Sequence, residues 1–152
     1  MIQLSEHFAL SELLVSQTAV RLGHPLELPP IVIANLRRLC VLALEPIRVA
    51  LGRPIVVSSG WRPDWLNELI GGAKDSAHLT GRAADINAIG MTPRALARSI
   101  QRLELPVDKV ILEFDSWVHV QVSLDALTEP RRQYLTAQHV AGRTQYLEGL
   151  MA

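Results

Sequence analysis

Apolar residues recur along this chain at two different spacings, and the change falls close to residue 53. Before it, Ile33, Leu36, Cys40, Ala43 and Ile47 are separated by three or four residues, the stripe of an amphipathic helix. Pro30 suits the first turn of that helix and Gly52 its C-terminal cap. Pro46 removes a backbone donor, so it should kink the helix or end its regular part. An earlier helix is expected over "SELLVSQTAVRLG", with Ser11 as its cap and Gly23 at its end, followed by "HPLELPP" as a rigid connector. The stretch Ile31 to Leu51 carries Arg37, Arg38, Glu45 and Arg48, which makes it a buried amphipathic helix and not a membrane span.

After residue 53 the period shortens. "PIVVSS" and "AADINA" read as short strands, and "PDWLNELIGG" between them as a short helix with proline at its start and glycines at its end. "TPRALARSIQRLEL" is a helix capped by Thr92 and opened by Pro93, with Leu96, Ile100 and Leu103 on one face. "DKVILEF" and "WVHVQVS" predict an antiparallel hairpin with a very short turn. The tail from Asp125 is polar and arginine-rich and shows no strong period. Helices first and strands later indicate an α+β domain spanning residues 1–152. Within it, residues 1–52 are helical and residues 125–152 are a tail without a functional reading.

Strand alternation decides which side chains face the core. In "WVHVQV" the valines 118, 120 and 122 share one face, so Trp117, His119 and Gln121 share the other. In "AADINA", Ala84, Ile86 and Ala88 oppose Asp85 and Asn87. His78 lies just ahead of that strand. Two histidines and one carboxylate make a zinc set with a fourth position free for water, whose pKa zinc lowers to about 7. The competing reading is a hydrogen-bonded histidine–aspartate pair without a metal. Gly81, Ala83 and Ala84 are small enough to permit a tight turn and leave room for a metal and a substrate.

A general base is expected just upstream of His119, at Glu113 or Asp115. A two-residue loop, Asp115-Ser116, would aim Glu113 into the core, where an unpaired carboxylate is costly. An odd loop, Asp115-Ser116-Trp117, would set Glu113 directly across from His119, with Asp115 as a turn residue. A salt bridge to a nearby arginine is the plainer role for Glu113. "SSGWRP" ends a strand in a glycine turn that presents Arg62, a side chain suited to holding a carboxylate by two parallel hydrogen bonds. Ser59 and Ser76 could add donors.

Composition removes several classes of function. Fifteen basic and fifteen acidic side chains cancel, and aromatic residues are only 5%, which argues against nucleic-acid binding and a base-stacking surface. An all-helical DNA-binding reading of the N-terminal half lacks a basic face. The single cysteine, Cys40, cannot form an internal disulfide and reads as a small buried hydrophobe. "MIQLSEHFAL" lacks the pattern of a signal peptide, so synthesis in the cytoplasm is expected, with action elsewhere only after release.

Taken together, "SSGWRP", "LNELIGGAKDSAHLTGRAADIN" and "ILEFDSWVHVQV" resemble the zinc D-Ala-D-Ala carboxypeptidase and L-alanyl-D-glutamate peptidase family. These are murein peptidases related in fold to the hedgehog signalling domain. The likeness spans roughly Leu4 to Ser123 and is nearest to the small phage- and prophage-encoded branch, which often begins with a segment like "LSEHFALSELLVSQTAVRLG". It implies a small, mainly antiparallel sheet with helices packed on one side. It implies that His78, Asp85 and His119 bind Zn2+, that Arg62 holds a substrate carboxylate with Ser76 helping, and that an acidic residue before the last histidine is the base. Many members place that carboxylate three residues before the histidine, where this chain has Ser116; the small branch has a glutamate ending the preceding strand, here Glu113. Trp61 stands where tyrosine is frequent and would reshape the pocket wall. The implied substrate is the peptidoglycan stem peptide, cut by a monomer that does not insert in membranes and that reaches the wall by phage lysis or as a virion component. Carboxypeptidase and endopeptidase action stay open, and the alternative is a non-catalytic, zinc-containing murein-binding or phage structural module.

Overall fold

The computed structural model describes residues 2–14 and 28–150. It contains α1 (Leu10–Leu13), α2 (Pro30–Leu39), α3 (Glu45–Leu51), α4 (Asp64–Leu69) and α5 (Pro93–Arg102). The strands are β1 (Ile55–Ser59), β2 (Ala83–Ala88), β3 (Lys109–Glu113), β4 (Trp117–Gln121), β5 (Gln133–Val140) and β6 (Arg143–Glu148). They form one six-stranded sheet in the order β1-β2-β4-β3-β5-β6. Every neighbouring pair is antiparallel except β3–β5. Among the described residues no helix is long and apolar enough to cross a membrane.

The core lies between the helices and one sheet face. Ala84, Ile86, Val110, Leu112, Val118 and Val120 supply the sheet side; Leu36, Leu39, Leu44, Ile47, Leu96 and Ile100 supply the helical side. Each fully buried Leu, Ile or Val contributes roughly 1.5–3 kcal/mol. The expected stripe from Ile33 to Ile47 is therefore what docks the N-terminal helices, although Ile33 sits at its margin. At α5, the Thr92 hydroxyl accepts from the Ala95 N–H and Pro93 opens the helix.

The regular α geometry stops ahead of Pro46, as expected, but the helix runs on past it. Between α2 and α3, residues Cys40–Leu44 form a π turn in which the Glu45 N–H donates to the Cys40 carbonyl five residues back. The wider turn absorbs the register change around a proline that has no N–H to give. Gly52 closes α3 at φ +60. Cys40 is fully buried, and burial, with Glu45 and Glu12 adding to it, pushes its thiol up to about 12, so it packs as a hydrophobe.

One expectation needs correcting. Ser11 is inside α1 and does not cap it; the Ala9 N–H at the helix entrance donates to the Glu12 carboxylate at 2.7 Å. Gly23 and most of "HPLELPP" lie outside the described residues. The tail, whose sequence shows no strong period, forms two strands. β5 runs parallel to β3, with Lys109 opposite Gln133 and Glu113 opposite Ala137, and β6 returns along it through a tight turn at Ala141 and Gly142, both at positive φ. The signal was weak because β6 is an exposed edge strand and β5 buries few side chains fully, which leaves little alternation to read.

Candidate metal centre

β2 and β4 are adjacent and antiparallel, and their register sets Asp85 directly opposite His119. Their alternate neighbours Ile86, Val118 and Val120 fill the core, so both polar side chains stand on the far face, as the alternation requires. His78 arrives from a 3-10 turn, Ala77–Thr80. The Ser76 hydroxyl caps that turn by accepting from the His78 N–H at 3.3 Å. Gly81 ends it at φ +78, where a Cβ would lie 2.9 Å from the Val32 carbonyl oxygen. Glycine is thus required for both conformation and space. Ala84, by contrast, points into the core, so its small size makes no space on the site face.

The ligand atoms of His78, Asp85 and His119 all lie within 4.8 Å of one another. Asp85 Oδ1 is 3.3 Å from His78 Nε2 and 3.1 Å from His119 Nδ1. The other nitrogen of each ring is already committed. His78 Nδ1 donates to the Gly60 carbonyl at 2.7 Å, and His119 Nε2 donates to Gln121 Oε1 at 3.0 Å. With the outer nitrogen of each ring so engaged, the inward nitrogen is the one left for a metal, the arrangement that holds metal-ligating histidines. Burial pushes the His78 imidazole down towards its neutral form, against the pull of Asp85. Burial would push the Asp85 carboxyl up, but bonds to His119 and His78 outweigh it and hold the group well below the usual carboxylate range. A neutral imidazole and an ionised carboxylate are what a cation needs. His119 is also deeply buried, yet its bond to Asp85 outweighs burial and raises it. Two imidazoles and one carboxylate form a donor set suited to Zn2+ and leave a coordination position for solvent or substrate.

The glycine turn after β1 is stitched to the His78 turn. The Arg62 N–H donates to the His78 carbonyl at 3.0 Å, and the Trp61 indole N–H to the Leu79 carbonyl at 2.9 Å. Trp61 is 3% exposed, so its contacts brace the turn from behind. Arg62 senses the charges of Asp85 and Glu113, and burial draws its guanidinium down. Its Nε is buried without a hydrogen-bond partner among the described residues, and a terminal guanidinium nitrogen donates to Ser76 Oγ at 3.5 Å. Ser59 is opposite Asp85 across a bulge in β1.

The β3–β4 loop is odd, as expected, but it is Phe114-Asp115-Ser116. Glu113 therefore faces Trp117, and Ile111 faces His119. Glu113 still shares the His119 face, one diagonal step away. Trp117 Nε1 donates to Glu113 Oε2 at 2.5 Å. Burial pushes the Glu113 carboxyl up; His119 opposes that and Asp85 adds to it. Asp115 is an exposed turn residue paired with Arg94 at 2.7 Å, remote from this chemistry. Sequence reading passed over Gln121, although alternation had put it beside His119, and over Asp108 and Gly60, whose roles depend on tertiary contacts.

Gly60 offers a direct check. A Cβ there would meet the Leu13 carbonyl oxygen at 2.0 Å. Gly60→Ala should cost about 1–3 kcal/mol, as overpacking does, and should weaken zinc binding by moving the carbonyl that orients His78. Thermal melts of zinc-free protein and zinc titrations read the two effects. An unchanged Tm and zinc affinity would contradict the close approach.

Comparison with known families agrees with this geometry. The family described as Peptidase M15 matches residues 6–121, well over half of the chain. No curated protein matches the sequence.

Proposed function

The chain belongs to the peptidase M15 family of zinc-dependent peptidases, and on that premise we propose that it hydrolyses a peptide bond in the stem peptide of bacterial peptidoglycan. The observation that carries this reading is the convergence of His78, Asp85 and His119, with both distal ring nitrogens engaged, beside an under-used Arg62 and a buried Glu113.

When held by His78, Asp85 and His119, zinc supplies Lewis acidity for the attacking water and the scissile carbonyl. The chain's own residues do the rest. Arg62 offers a buried, incompletely bonded guanidinium to a carboxylate of the substrate, which a stem peptide has at its end and on its side chains. Ser76 stands beside it as a second donor. Trp117 holds Glu113 Oε2, so Oε1 is the oxygen left to take a proton from water and return it to the leaving amine. Burial raises the basicity of that carboxyl, as a proton carrier near neutral pH requires. Asp115 has its own partner, Arg94, which favours Glu113 as the base.

Purified peptidoglycan and synthetic stem peptides test the reading. New amino groups should appear, disappear with a chelator and return with added zinc, and product masses should name the bond. Retention on peptidoglycan with no cleavage at any zinc level would overturn the hydrolase and favour a binding module.

A further inference from the structure

His119 and Gln121 are two residues apart on the same face of β4, and their side chains meet at 3.0 Å. A glutamine amide can turn either its oxygen or its NH2 group to an imidazole. Only the oxygen leaves the proton on Nε2 and the lone pair on Nδ1, the nitrogen that faces Asp85. The group that selects this orientation is one step further out. Gln121 Nε2 donates to Asp108 Oδ2 at 3.4 Å, and Asp108 is 5% exposed. Arg131 grips that same carboxylate, with Nε 3.1 Å from each oxygen, a terminal nitrogen at 2.7 Å and its backbone N–H at 3.2 Å. An ionised carboxylate only accepts, so the amide nitrogen must face Asp108 and the amide oxygen must face His119.

We propose that Asp108, clamped by Arg131, is a positioning residue that acts through Gln121 to select which nitrogen of His119 faces the metal. The proposal rests on the reading that His119 binds zinc. It connects the centre to a part of the chain beyond residues 6–121, since Arg131 lies two residues ahead of β5. The docking is local: the Arg132 N–H donates to the Val107 carbonyl and the Gln133 N–H to the Asp108 carbonyl, both at 3.0 Å. Asp108 thus meets the start of the parallel β3–β5 pairing through its backbone carbonyl, and Arg131 and the Gln121 amide through its carboxylate.

Zinc dissociation constants, measured by competition with a chromophoric chelator, test this in the full-length protein. Asp108→Asn presents both a donor and an acceptor, so Gln121 is free to flip. Gln121→Leu removes the amide altogether. Each should weaken zinc binding about 10–100-fold, the effect typical of residues that orient a ligand. The double variant Asp108→Asn/Gln121→Glu places a group with no donor beside Nε2–H and should recover wild-type affinity or exceed it. Melts of the zinc-free proteins establish that each variant folds. Wild-type affinity in both single variants would overturn the proposal, and so would weakened binding that the double variant does not rescue. A wild-type protein that binds no zinc would instead overturn the metal reading beneath it.

Discussion

Asp85→Ala should abolish zinc-dependent stabilisation and hydrolysis together. Asp85 is the one anionic member of the candidate ligand set, and its Oδ1 lies 3.3 Å from His78 Nε2 and 3.1 Å from His119 Nδ1. Without it, two imidazoles that are almost fully buried have no negative charge to help them admit a dication, and desolvating such an ion without compensation is prohibitive. Binding to the native state alone stabilises by about 2.7 kcal/mol when free zinc is 100 times Kd. For a chain of this size that is a Tm rise of roughly 5–10 °C. Wild type should show that rise and the variant none. The zinc-free variant should also melt lower, because His119 loses its partner inside the protein, at a cost of about 1–3 kcal/mol. An equal zinc-induced rise in Asp85→Ala would remove Asp85 from the centre.

Glu113→Gln should separate chemistry from metal binding. Glu113 is not among the three converging ligands, so the zinc-induced Tm rise should persist. Hydrolysis should fall by about 10²–10⁴-fold, the usual contribution of a general base. Asp115→Asn, which alters only an exposed pair with Arg94, should keep activity near wild type. The stability effect has a definite sign. Burial raises the folded-state pKa of Glu113, so its ionisation costs the native state more than the unfolded one. That penalty is absent at pH below the unfolded value and fully present above the folded one. Zinc-free Glu113→Gln should therefore melt higher than wild type at neutral pH, and the gap should close on acidification through the carboxylate range. Wild-type hydrolysis should decline over the same acid limb. Unchanged turnover in Glu113→Gln would assign the base elsewhere.

The site was most legible where one period governed. In "AADINA" and "WVHVQV" alternate residues are core-facing, so Asp85 and His119 were bound to share the opposite face. The His78 turn was legible through Gly81. The hairpin register was misread and the tail left without a reading for a common reason. Phe114 leaves the strand at φ +54 and stacks on His139 at 4.1 Å, and its N–H donates to the Ala137 carbonyl at 3.0 Å. His139 and Ala137 belong to β5, so the loop takes its shape from a strand distant in sequence whose own pattern is faint. Burial cost correctly kept Glu113 on the site face, since parity survives a shift of one residue at each end of an odd loop. It could not say which residue would be opposite.

The close approach of Gly60 to Leu13 ties the chemistry to the beginning of the chain. The Trp61 N–H donates to the Leu13 carbonyl at 2.8 Å, and the Gly60 carbonyl beside it holds the His78 ring. Removing the first fourteen residues would spare every candidate ligand and still take away the backbone contact that braces the Gly60 carbonyl behind the His78 ring.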